Sequence, residues 1–129
     1  MQYVYPAKLY PDEEFIGVAV PDLPGCFTYG KDTADALVMA KDAVEMWLTD
    51  AEDQQEPIPT PSKTLVLEEG EIFTLIQANT AEYRKAHSNQ SVKKTLTIPA
   101  WLNFQAEKAN APFSHILQEG LKSYLKIAQ

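Results

Sequence analysis

The chain has 129 residues, 45% of them hydrophobic, and a formal net charge of −7, which suits one ordinary domain plus a small one. No stretch approaches the roughly 18 apolar residues of a membrane span, and the first residues lack a basic region followed by an apolar one. Cys26 is the single cysteine, which excludes an intrachain disulfide, so a cytoplasmic protein is expected.

The charge is unevenly spread. Residues 1–62 hold three lysines against twelve carboxylates, a net −9, and residues 63–81 add −2. Residues 82–129 reverse the sign, with seven basic against three acidic side chains, a net +4. Such a split points to two partners of opposite charge, a polyanion at the basic end and a basic partner at the acidic end.

In residues 2–10, Tyr3, Tyr5, Ala7 and Leu9 alternate with Gln2, Val4, Pro6 and Lys8, which predicts a strand that its proline moves toward a sheet edge. A turn at Pro11-Asp12-Glu13 leads into the β-prone run from Phe15 to Val20, so a hairpin is expected. After the breaker Pro21-Asp22-Leu23-Pro24-Gly25, residues 26–29 make a short third strand ending at Gly30. The period then becomes helical. Leu37, Ala40, Val44, Trp47, Leu48 and Ala51 share one face, with Asp32 or Thr33 as the N-cap and Asp35 in the first turn, where the helix dipole favours an anion.

Residues 54–62 carry Pro57, Pro59 and Pro61 and read as an extended connection. Residues 72–76 suggest a closing strand, with a short one before it at residues 65–67. The expected domains are thus an α+β unit over residues 1–80, a small antiparallel sheet with one covering helix, and a hinge over 81–90 holding at most a turn of helix.

A third segment, 91–129, completes the chain. Within residues 92–98, Leu96 and Ile98 face one side and Lys93, Thr95 and Thr97 the other, and Pro99 stops the strand and suits the first position of a helix. Two helical patterns follow, broken at Asn110-Ala111-Pro112, with Ser114 placed to cap the second. About 40 residues with no disulfide or metal motif rarely hold a core alone. A second copy pairing strand on strand would close this one, and the paired strands would present Lys93, Thr95 and Thr97 twice on a ribbon that fits the major groove of DNA.

Other candidate chemistry is weak. Asp12, Glu13 and Glu14 are consecutive in a turn and point different ways, whereas a metal needs converging ligands. His87 and His115 are isolated, no phosphate loop or Ser-His-Asp spacing occurs, and Cys26 reads as a packed thiol. Trp47 and Trp101 read as core residues. No catalytic residue, metal or cofactor is expected.

Lys-Thr-Leu-Thr-Ile-Pro-Ala-Trp-Leu, from Lys94, and Phe-Ser-His-Ile-Leu-Gln-Glu-Gly-Leu-Lys-Ser-Tyr-Leu, from Phe113, resemble a ribbon-helix-helix DNA-binding domain. That resemblance implies base reading by Lys93, Thr95 and Thr97, and phosphate binding by the backbone at Phe113 and Ser114. Lys94 departs from it, standing where such domains have an apolar inward residue. Val20-Pro-Asp-Leu-Pro-Gly-Cys-Phe-Thr-Tyr-Gly and Pro57-Ile-Pro-Thr-Pro-Ser resemble the N-terminal domain of HicB-type antitoxins. This second resemblance extends the first over nearly the whole chain. It implies a partial ribonuclease-H-like fold that masks HicA, a small basic RNA-cleaving toxin, while the tail binds operator DNA as a dimer or pair of dimers and represses the operon. Asp12, Glu13, Glu14 and Asp22 are the candidate toxin contacts. A stand-alone regulator with a ligand-sensing N-terminal domain is the alternative, disfavoured by the −9 charge, and a metal-dependent nuclease is disfavoured by the missing carboxylate constellation.

Overall fold

Alternation over the first residues makes strand β1 (Gln2–Pro11), whose Tyr5, Ala7 and Leu9 are buried in the computed structural model, which describes residues 1–127. Around it stand β2 (Ile16–Ala19) and β4 (Ile72–Asn79), both antiparallel, and β3 (Phe27–Gly30) pairs outside β2, giving the order β3-β2-β1-β4. The edge position expected from Pro6 is overturned, because β1 is central. Register explains why the sheet tolerates it. Tyr5 and Ala7 exchange hydrogen bonds with β4, so Pro6 turns its donorless nitrogen toward β2, whose pairing reaches only as far as Lys8.

Helix α1 (Thr33–Asp53) covers one face of this sheet. Asp32 caps it, its carboxylate accepting the Asp35 N–H at 2.8 Å, and Ala36, Ala40, Val44, Leu48 and Ala51 face inward. The first four pack on Tyr5, Leu9, Val18, Val20, Leu23 and Ile76 to make one core. The approach is close at the start of the helix, where a Cβ on Gly30 would stand 2.3 Å from the Ala36 nitrogen. Cys26 is buried at the core's margin as expected, and burial pushes its thiol pKa up.

The proline-rich connection is pinned at three points. Ile58 packs on the core, the Tyr5 hydroxyl donates to Pro59 O at 2.5 Å, and Ser62 donates through N–H and Oγ to Asp22 at 2.8 and 2.5 Å. No strand forms at residues 65–67. β4 runs three residues further than the pattern suggests and passes directly into helix α2 (Thr80–Ala86), capped by the Asn79 side chain. Where a hinge was expected from residue 81, this helix instead packs on α1.

The chain divides into two compact units, Met1–Gln90 and Ser91–Gln129. Of the expected 91–129 domain, the last two residues lie outside those described. Among the described residues, 92–98 pair with no strand. Two helices follow, α3 (Ala100–Lys108) and α4 (Phe113–Leu125). Pro99 is the N-cap of α3, one position before the one expected. Asn110 takes the left-handed conformation at φ 54° and Ala111 N–H bonds back to Ala106 O, a helix stop that satisfies carbonyls of the last turn. The expected Ser114 cap is corrected as well: α4 starts two residues earlier than that cap requires, with Pro112 as N-cap, so Ser114 lies inside the first turn and makes no capping bond.

Candidate interaction surfaces

The sheet's second face is uncovered by any helix of its unit. Tyr10 lies over Gly17 on that face, where a Cβ would meet the ring at 2.1 Å, and Phe15 and Tyr29 pack ring to ring at 5.3 Å. Phe27, Tyr29, Phe73 and Leu75 are 40–69% exposed there. Single exposed apolar residues are ordinary, but a row of aromatics across one sheet face marks a surface meant to be covered.

Antiparallel pairing sets what borders this face. Leu9 faces Ile72, so the turn after β1 lies beside the turn before β4, and Asp12, Glu13 and Glu14 share one end of the sheet with Glu68, Glu69 and Glu71. Glu71 pairs with Lys8 at 3.4 Å and also accepts the Glu68 N–H at 2.7 Å. Asp22 is not brought to this group. It sits in the β2–β3 connection, and both its oxygens are taken by Ser62. Glu68, Glu69 and Glu71 went unrecognised in the sequence as companions of the first turn. The signal was present only as three more carboxylates around Gly70, with nothing local to say which turn they would meet. Among the described residues, no group of three or more His, Cys, Asp or Glu side chains could hold a metal ion.

A second polar cluster joins α2 to the sheet unit. Glu52 on α1 accepts from the Tyr3 hydroxyl at 2.6 Å, from Thr80 Oγ1 at 3.1 Å and from Arg84 at 3.1 Å, and Arg84 also reaches Asp53 at 2.8 Å. Burial alone would raise the Glu52 pKa, but the Tyr3, Arg84 and Thr80 donors outweigh it and hold the carboxyl below its ordinary value. The same bond, with burial behind it, pushes Tyr3 up to about 12. Arg84 is thus committed to α1 rather than free for other anions. Nearby, the buried Glu45 pairs with Lys41 and accepts the Asn79 N–H at 2.7 Å.

In the second unit Lys94, Leu96 and Ile98 line an open trough of about 600 Å³ together with Leu102, Phe113, Ile116 and Leu117. Neither helix holds a buried residue, and these seven side chains stand at the surface of the single chain. Trp101, expected in a core, is 68% exposed, because its unit has no core of its own to receive it. Lys93, Thr95 and Thr97 are exposed and do not line the trough. Phe113 and Ser114 open α4, where the first amides of a helix have no intrahelical acceptor.

A sheet with one open face, and in the same chain a helical unit whose described large apolar side chains are all exposed, define a binding module. Residues 5–118 match the family described as HicB_like antitoxin of bacterial toxin-antitoxin system, and the chain belongs to this family. It is 38% identical over 56 residues to a UPF0150 protein of Thermoplasma acidophilum, covering 43% of this chain and 81% of that protein. To the antitoxin HicB 2 of Photorhabdus laumondii it is 35% identical over 77 residues, 60% of this chain and about half, 52%, of the relative. Among solved structures, a chain of the toxin–antitoxin complex from Streptococcus pneumoniae superposes with a TM-score of 0.59 at 22% identity, over 96% of this chain and 99% of that one. A chain of the HicA3 and HicB3 toxin–antitoxin complex does so with a TM-score of 0.51 at 25% identity, over 60% and 99%. The protein is an antitoxin of α+β fold, and no described helix is long and apolar enough to cross a membrane.

Proposed function

We propose that this chain is a cytoplasmic antitoxin whose first unit masks a small basic HicA-type toxin, and whose second unit dimerises, binds double-stranded operator DNA and represses the operon. The observation that carries the toxin half is charge allied to an open surface. Residues 1–90 hold six basic against sixteen acidic side chains, a net −10, and their uncovered sheet face is apolar with carboxylates at its end. That combination suits fast capture of a basic protein followed by slow release. The solved complex of HicA3 with HicB3 supports the choice of partner.

The DNA half rests on the second unit. Its trough leaves the large apolar side chains exposed, which a second copy pairing residues 92–98 strand on strand would cover, with Lys93, Thr95 and Thr97 left outward on a two-stranded ribbon. Residues 91–129 are basic, five lysines against two carboxylates. Phe113 and Ser114 are the proposed phosphate contacts, through the backbone at the start of α4. Asp12, Glu13 and Glu14 are proposed toxin contacts. Asp22 is proposed only as a structural partner of Ser62.

The test is co-expression of the tagged full chain with the small basic protein encoded beside it. The expected result is a stable complex in which RNA cleavage by that protein stops, and which shifts a promoter fragment of the same operon. Recovery of the antitoxin alone, with cleavage unabated, refutes the toxin half, and failure to shift the promoter refutes the DNA half.

A further inference from the structure

β4 is the long open edge of the sheet. The Thr80 N–H bond to Met1 O sets the phase of the β1–β4 ladder, so Tyr3–Ala78, Tyr5–Ile76, Ala7–Thr74 and Leu9–Ile72 are the hydrogen-bonded pairs. Phe73, Leu75 and Gln77 therefore turn their N–H and C=O groups away from the sheet. Asn79, in the same phase, checks this: its outward amide is taken by Glu45. Among the described residues nothing takes the groups of the other three.

Sheet edges are normally guarded by shortness, proline, lysine or a bulge. β3, at the other edge, is guarded by its four-residue length. β4 has eight residues, no proline or lysine and an unbroken register, and its Ile72, Phe73 and Leu75 are 40–58% exposed. Such an edge is a template for another strand.

We propose that β4 receives a strand of the basic toxin, which extends the sheet by main-chain pairing and lays alternate apolar side chains against Phe73 and Leu75. The proposal rests on the antitoxin reading above and adds the binding mode. Charge decides the occupant. A second copy at this edge would bring a unit of −10 against its equal, whereas a basic chain is drawn to it, and Glu68 and Glu69 stand where β4 begins.

Hydrogen exchange tests this on the full chain, alone and with a cleavage-inactive variant of the HicA-type toxin from its own operon. Alone, the amides of Phe73, Leu75 and Gln77 should exchange at least 100-fold faster than those of Thr74 and Ile76; in the complex they should slow at least tenfold. Leu75→Pro, which removes an outward donor together with one exposed apolar side chain, should weaken toxin binding at least tenfold, and well beyond Leu75→Ala, which keeps the donor, while leaving the free chain's unfolding midpoint near wild type. A complex that forms without protecting these three amides overturns strand addition and leaves the antitoxin reading standing. Protection already present in the free chain and rising with its concentration assigns the edge to a second copy, which overturns the choice of occupant. No complex at all overturns the antitoxin reading, and this mode with it.

Discussion

Leu96→Ala is the sharpest probe of the second unit. Leu96 lines the trough and is 58% exposed in the single chain, so that fraction of its side chain is available to be buried by a partner. Truncation to alanine removes about three carbons, or about 2.4 kcal/mol for full burial, and the available fraction of that is about 1.4 kcal/mol. A two-fold dimer contains the change twice, which gives about 2.8 kcal/mol, or roughly a 100-fold weaker dimer. Sedimentation equilibrium over a dilution series measures it, with far-UV circular dichroism following the helices. Val66→Ala, at a residue 92% exposed in the first unit's connection, serves as the control and should change nothing. An unchanged dimer constant for Leu96→Ala would refute the trough as the dimer interface. So would a wild-type chain that stays monomeric at micromolar concentration with α3 and α4 intact.

Thr95→Ala or Thr97→Ala should leave the dimer intact and lower discrimination among operator sequences by about 1 to 3 kcal/mol per base pair read, measured by competition binding at fixed salt; equal losses on all sequences would argue for phosphate contact instead. In the first unit, Leu48 is fully buried, and Leu48→Ala should cost about 2 to 5 kcal/mol in denaturant unfolding; a cost under about 1 kcal/mol would contradict the packing described. Stability should follow pH through Glu52 and Tyr3. The Glu52 carboxyl is depressed in the fold, so its contribution is full above its ordinary 4.5 and is lost as pH falls through the lower folded value. Tyr3 is raised, so its contribution is full below 10 and is lost between pH 10 and about 12. Glu52→Gln and Tyr3→Phe should flatten the acid and alkaline limbs of melting temperature against pH, and limbs identical to wild type would count against the cluster.

Local periodicity carried most of the first unit. α1 was legible because its apolar face recurs every three to four residues behind an aspartate that caps it, and β1 and β2 because alternation and Pro11-Asp12-Glu13 are hairpin signals between neighbours in sequence. The helices of the second unit were legible for the same reason. What sequence could not supply are relations between distant residues. Pro6 misled because a missing donor matters only on the side where a partner strand stands, and the length of β2 settles which side that is. α2 is too short to be stable by propensity alone, and Glu52, 32 residues away, holds its Arg84. Asp22 looked like a free carboxylate until the fold brought Ser62 onto it across 40 residues. Strand order alone leaves the β4 edge open and gathers Glu68, Glu69 and Glu71 beside Asp12, Glu13 and Glu14. Composition and pattern therefore determined most of the segments that form helices and strands and the division of charge between an acidic and a basic part of the chain. The tertiary structure decided which surfaces remain unpaired, because pairing depends on the three-dimensional neighbours of a backbone group and not on its neighbours in the chain.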